Sequence, residues 1–129
     1  WEWHEELFHV AQEEGLVCFS SPFDKTAVDF LEGLNNPIYK IASFEITDIP
    51  LIEYAARTMK PIVISTGIAM QEDIQLAVET CRAVGNNDIT LLKCTSSYPA
   101  PIEASIIKCF SSITAPYETA TIGARLPIV

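Results

Sequence analysis

Four short apolar runs punctuate the chain, at residues 16–19, 38–42, 62–64 and 89–92. Each is β-branched or aromatic and lacks strict alternation, the pattern of strands covered on both faces. Their starts lie 22, 24 and 27 residues apart, the length of one βα unit. The segments between them carry apolar residues at helical spacing. Trp3, Leu7, Val10 and Ala11 form one stripe. Ala27, Phe30, Leu31 and Leu34 form a second, capped by Asp24 and stopped by Asn35-Asn36-Pro37. A third helix carries Leu51, Tyr54 and Ala55, with Pro50 in its first turn and an end before Pro61. A fourth carries Ile74, Ala77, Val78, Cys81 and Val84, with Gly85 as C-terminal cap. The order αβαβαβαβ predicts an α/β fold with a parallel sheet, either doubly wound or part of a (β/α)8 barrel. From about Cys109 to Val129 neither period is clear.

Each predicted strand runs into small hydroxyl residues: Ser20-Ser21-Pro22, Ser43-Phe44-Glu45, Ser65-Thr66-Gly67 and Thr95-Ser96-Ser97-Tyr98-Pro99. In parallel α/β folds these C-terminal ends form the ligand face. A collar of hydroxyls and loop N–H groups there suits phosphate or carboxylate. One such residue alone reads more readily as a helix cap; four adjacent ends together shift the balance towards a ligand site. Lys40 lies inside the run Ile38-Tyr39-Lys40-Ile41-Ala42, where a covered strand should be apolar. Buried lysine needs a partner, so Lys40 is held for an anion unless its strand is an edge from which it snorkels to water. Lys93 repeats the pattern. Strict alternation puts Lys40 and Ser43 on opposite faces, so Ser43 must turn at the strand end to share a ligand. Glu45 can act as a general acid or base, or pair as a surface carboxylate. His4 and His9 are five apart, the wrong spacing for metal ligands on one helix face. Trp1 and Trp3 read as covering a core.

The chain has 129 residues and a formal net charge of −9, which argues against nucleic-acid binding because phosphate neutralisation needs clustered Lys and Arg. No apolar stretch approaches the ~18 residues of a membrane span, and no leader is visible. Trp1, not Met, opens the chain, which reads as a piece of a longer protein. Cys18, Cys81, Cys94 and Cys109 show neither Cys-x-x-Cys pairing nor zinc spacing and read as free thiols in a reducing cytoplasm.

Four motifs in order, Phe19-Ser20-Ser21-Pro22-Phe23, Tyr39-Lys40-Ile41-Ala42-Ser43-Phe44-Glu45, Ile64-Ser65-Thr66-Gly67 and Lys93-Cys94-Thr95-Ser96-Ser97-Tyr98-Pro99, resemble the sialic-acid (nonulosonate) synthase family over residues 1–108. The resemblance implies a (β/α)8 barrel of which this chain supplies strands three to six, with 109–129 a divergent tail. It implies phosphoenolpyruvate-dependent condensation with an N-acylated amino-sugar aldehyde. Lys40, Ser43 and Ser65 would hold phosphoenolpyruvate, Ser21 would stand at a phosphate-side hydroxyl position, and Ser96 and Tyr98 would lie in the loop after strand six. Glu45 would handle protons, and a divalent metal, Mn or Mg, would activate the aldehyde. The complete enzyme would be a cytoplasmic homodimer. Lys93 and Ser96 make the loop most similar to pseudaminic acid synthases, with N-acetylneuraminate synthases the near alternative.

The family's two metal-binding histidine motifs, Ser-Asp-His and Glu-Arg-His, do not occur in this sequence. The expectation is therefore an incomplete barrel, inactive by itself and without metal ligands. Two other readings compete: a non-catalytic remnant, and an unrelated flavodoxin-type domain, which would need a glycine-rich phosphate loop where Ser-Ser-Pro stands. Met70 stands where relatives often carry Thr or Ser, so a helix cap is expected to be lost.

Overall fold

The computed structural model describes residues 1–94 and the short strand at 119–120. Its elements are α1 (His4–Glu13), α2 (Lys25–Gly33), β1 (Tyr39–Ile41), a 3-10 turn (Ser43–Thr47), α3 (Ile49–Ala56), β2 (Ile62–Ser65), α4 (Gln71–Ala83), β3 (Ile89–Leu92) and β4 (Thr119–Ala120). The sheet order is β1-β2-β3-β4, with every pair parallel. Cα register aligns Tyr39 with Ile62 and Ile89, and Ile41 with Ile64 and Leu91. These six side chains are buried on one face, against Val28 and Leu31 of α2, Leu51, Ile52, Ala55 and Ala56 of α3, and Ile74, Ala77, Val78 and Cys81 of α4. The strands follow sequence order and α2 to α4 share one face, so the layer is singly wound among the described residues. A doubly wound sheet reverses its strand order and carries helices on both faces.

Local chemistry places the helix ends. Asp24 accepts from the Ala27 N–H at 2.8 Å, as its position predicts, and Asp48 does the same for Leu51 at the start of α3. Met70 gives no side-chain cap to α4, but the Asp73 carboxylate reaches back to the Met70 N–H at 2.9 Å. Asn35 and Gly85 turn the chain out of α2 and α4 with φ of 56° and 90°. The following residues close the turns, Asn36 N–H to Leu31 O and Asn86 N–H to Cys81 O. Both asparagines are buried and tie each unit to the one before it. Asn36 accepts from the Ser20 N–H and donates to Ile38 O. Asn86 donates to Ala56 O and Lys60 O and accepts from the Asp88 N–H. Among the described cysteines, Cys18, Cys81 and Cys94 are free. Burial pushes the Cys81 thiol up to about 11, which leaves it unreactive at neutral pH. Cys109 lies outside the described residues.

Three expectations are corrected. The run at 16–19 forms no strand: it contributes only a parallel bridge, Ser20 with Tyr39, and Leu16, Val17 and Phe19 stay exposed. The stripe on α1 is not a core face, since Trp3, Leu7 and Val10 are exposed and α1 buries no residue; it leans on the domain through Phe8 and through ring contacts of Trp1 and His4 with Phe30. Trp1 and Trp3 therefore cover no core. The strands are fully covered on the helix face only, because Lys40, Val63 and Thr90 on the other face are half-buried. In the tail, Thr119–Ala120 pairs in parallel with Leu91 and Leu92, a strand too short to leave a period in the sequence.

Candidate functional site

Lys40 is the middle residue of β1. Its neighbours Tyr39 and Ile41 point into the helix-covered core, so alternation sends Lys40 to the opposite face. Register puts Val63 beside Lys40, and Thr90 beside Val63. On the other side of β1 the Ser20–Tyr39 bridge brings in the segment that continues into Ser21. The Lys40 N–H donates to Ser20 O at 3.3 Å, which fixes that neighbour. Lys60 pairs with Glu32, and Arg57 with Glu53. No described carboxylate pairs with Lys40. A half-buried lysine with no counter-charge among the described residues is suited to an anionic ligand.

Two residues further towards the C-terminal ends, Ser65 pairs with Leu92 in register, level with Ala42 just past β1. Ser65 is buried and closes β2. The chain then breaks from the strand at Ser43, which opens the 3-10 turn. That turn answers the alternation problem, because the Ser43 Oγ meets the end of β2, accepting from the Gly67 N–H at 3.2 Å. Glu45 lies in the same turn. Its Oε2 is buried and has no hydrogen-bond partner among the described residues. A buried carboxylate oxygen left so costs stability unless a ligand, proton or water meets it.

Thr66 is removed from the predicted hydroxyl collar. Its Oγ1 and its N–H both reach Leu92 O at 3.0 Å, so its side chain ties β2 to β3 instead of facing a ligand. Sequence reasoning missed Gly67, which touches Ser43 and Cys94, and Thr90, which shares the Lys40 face. Thr90 was detectable only as a polar residue inside an apolar run. Ser96 and Tyr98 lie outside the described residues, and Lys93 is half-buried just past β3. The described residues contain no group of three His, Cys, Asp or Glu able to hold a metal. His4 rests on Phe30 and His9 faces Glu13, both on α1. The donor set described does not fit a divalent metal site.

A singly wound parallel α/β layer, with Lys40 in its first strand and Ser43, Glu45 and Ser65 at or just past its strand ends, sets the fold class of this chain. Comparison with known proteins narrows this class. The chain belongs to the NeuB family, whose model matches residues 1–124. It is 59% identical over 102 residues to the pseudaminic acid synthase of Helicobacter pylori, covering 79% of this chain and 30% of that protein. The chain thus spans about a third of the length of such curated relatives. Among solved structures, the sialic acid synthetase of Leptospira borgpetersenii superposes with a TM-score of 0.82 at 28% identity, covering 93% of this chain and 42% of that one. The spore coat polysaccharide biosynthesis protein SpsE of Bacillus subtilis gives 0.74 at 37% identity, covering 78% of this chain and 28% of that one.

Proposed function

We propose that this chain is the phosphoenolpyruvate-binding part of a nonulosonate synthase, of the pseudaminate type, and that it represents strands three to six of a (β/α)8 barrel. The observation that carries the reading is Lys40: a lysine on the face opposite the core, unpaired among the described residues, with Ser21 next in chain to the Ser20–Tyr39 bridge at the same edge. Its ammonium and the hydroxyls of Ser21, Ser43 and Ser65 bind the phosphate and carboxylate groups of phosphoenolpyruvate. Glu45, with one oxygen free of hydrogen bonds, handles a proton near the reacting carbons. In the overall reaction the enol carbon bonds to the aldehyde carbon of an N-acylated amino sugar. Water adds at the neighbouring carbon, and phosphate leaves. Ser96 and Tyr98 belong to the sugar side. The pseudaminate assignment is supported by the 59% identity to a pseudaminic acid synthase. A divalent metal, Mn or Mg, would supply Lewis acidity at the aldehyde in the complete enzyme, a cytoplasmic homodimer. In this reading the 129-residue chain binds phosphoenolpyruvate without turning it over, because the family's Ser-Asp-His and Glu-Arg-His motifs do not occur in its sequence.

Titration calorimetry of phosphoenolpyruvate into the wild-type and Lys40→Ala chains tests the reading. Lys40→Ala loses roughly 2–4 kcal/mol of binding free energy through the missing charge-assisted contact. Equal affinity of the two chains removes Lys40 from the site. Phosphate release by the 129-residue chain with phosphoenolpyruvate, sugar and manganese would show that it is catalytically complete.

A further inference from the structure

Ser43 is the residue that must leave its strand to reach the site, and its side-chain oxygen is already engaged. The Gly67 N–H donates to Ser43 Oγ at 3.2 Å. Gly67 follows β2 by two residues and packs against the end of β3 as well. A Cβ at position 67 would lie 3.0 Å from Ser43 Oγ and 3.3 Å from Cys94 Cβ. The two neighbours differ in what they can yield. Cys94 Cβ is bonded directly to the backbone, and its Sγ lies 3.6 Å from Leu92 O. Ser43 Oγ is the end of a short side chain and moves by one χ1 rotation. A methyl group at 67 therefore pushes on Ser43 Oγ first, and the hydroxyl gives way before Cys94 does.

A hydroxyl oxygen that accepts from a backbone N–H keeps its own proton for a different acceptor. Ser43 donates to no described residue, so that proton is directed away from Gly67 and is free for a ligand oxygen. We propose that Gly67 is a positioning residue for the anion site: its N–H holds Ser43 Oγ, and its lack of a side chain keeps the space in which Ser43 presents its proton to the phosphate or carboxylate of phosphoenolpyruvate. The proposal rests on the reading of the site given above, and it adds a backbone group that touches no ligand itself.

The test compares wild type, Gly67→Ala, Ser43→Ala and the double variant by phosphoenolpyruvate calorimetry, with the Ser43 χ1 rotamer read from three-bond NMR couplings without ligand. Gly67→Ala is expected to shift the Ser43 rotamer and weaken binding roughly tenfold, the scale of one lost hydrogen bond to a charged group. The double variant is expected to bind no more weakly than the weaker single variant, because both remove the same contact. Additive losses, or a Ser43 rotamer that stays put in Gly67→Ala, overturn the positioning role. A wild-type chain that binds no phosphoenolpyruvate counts against the proposed function. The Ser43 couplings then decide alone, a displaced side chain supporting the Gly67 role and an unmoved one overturning it. Should Gly67→Ala not fold, Gly67→Ala combined with Cys94→Gly relieves the fixed contact and carries the same comparison.

Discussion

Helices α1 and α4 end through the same backbone device. Gly15 and Gly85 both take positive φ, and the next residue closes the turn, Leu16 N–H to Ala11 O and Asn86 N–H to Cys81 O. Both helices carry an apolar stripe, and both lead into an apolar run. Their surroundings are opposite. α4 buries Ile74, Ala77, Val78 and Cys81, and β3 pairs on both sides. α1 buries nothing, and the run after it makes one bridge. The residue after the glycine also differs. Asn86 is buried and satisfies two carbonyls of the preceding unit, whereas Leu16 is exposed. Stripe and turn are local properties of the sequence. Burial needs a neighbour on each side, and among the described residues the N-terminal unit has a neighbour on one side only.

The strongest way to break this contrast is in the core. Ile64→Ala, in the middle of β2 with no exposed surface, should cost about 2–5 kcal/mol through lost burial and a residual cavity. Leu7→Ala on α1 should stay within about 0.5 kcal/mol, the range of ordinary surface changes. Urea denaturation of both variants checks the pair. Similar losses would mean that α1 is packed in solution after all.

The asparagine ties give the next largest effect. Asn86→Ala leaves the Ala56 and Lys60 carbonyls and the Asp88 N–H without their partner and should cost about 1–3 kcal/mol. Asn36→Ala should act locally, speeding hydrogen exchange at the Ser20 and Lys40 amides and leaving β2 and β3 protected. Exchange that accelerates throughout the sheet would show that the Ser20 bridge belongs to the cooperative core.

The smallest effect is electrostatic. Glu32 Oε1 accepts from Lys60 Nζ at 2.6 Å and from the Tyr39 hydroxyl at 2.7 Å. Burial pushes the Glu32 carboxyl up, but these two bonds and the Lys60 charge outweigh it and hold its pKa below the usual 4.5. Burial and the same carboxylate push the Tyr39 hydroxyl well above its ordinary value. A depressed carboxylate pKa stabilises the fold above 4.5, and that contribution disappears as pH falls through the lower folded value. The pair is partly exposed, so it should contribute about 1 kcal/mol or less and weaken with salt. Glu32→Gln should remove that pH-dependent part. Melting curves of both chains from neutral to acid pH read it directly, and parallel curves would show no net contribution.

How much of the site was legible follows the same division. Lys40 stood out because a charge interrupted an apolar run, and the hydroxyl ends stood out because they follow each run. Three of the apolar runs became strands with bounds close to those expected. Thr66 could not be told from Ser65 in the sequence, because only strand pairing shows that its hydroxyl is taken by Leu92 O. Gly67 carries no side chain to flag, and its importance comes from the approach of Ser43 and Cys94, 24 and 27 residues away in sequence.

The sequence by itself determined the βα repeat, the capping residues Asp24 and Gly85, the parallel class of the sheet and the residue types at its strand ends. Each follows from short-range rules of backbone sterics, hydrogen bonding and periodicity. Only the tertiary structure decided that α2 to α4 share one face, that Ser43 turns onto Gly67, and that, among the described residues, nothing covers α1 and the run at 16–19 or partners the Glu45 Oε2. Those outcomes depend on contacts between segments far apart in the chain, and local preference cannot set which surfaces meet.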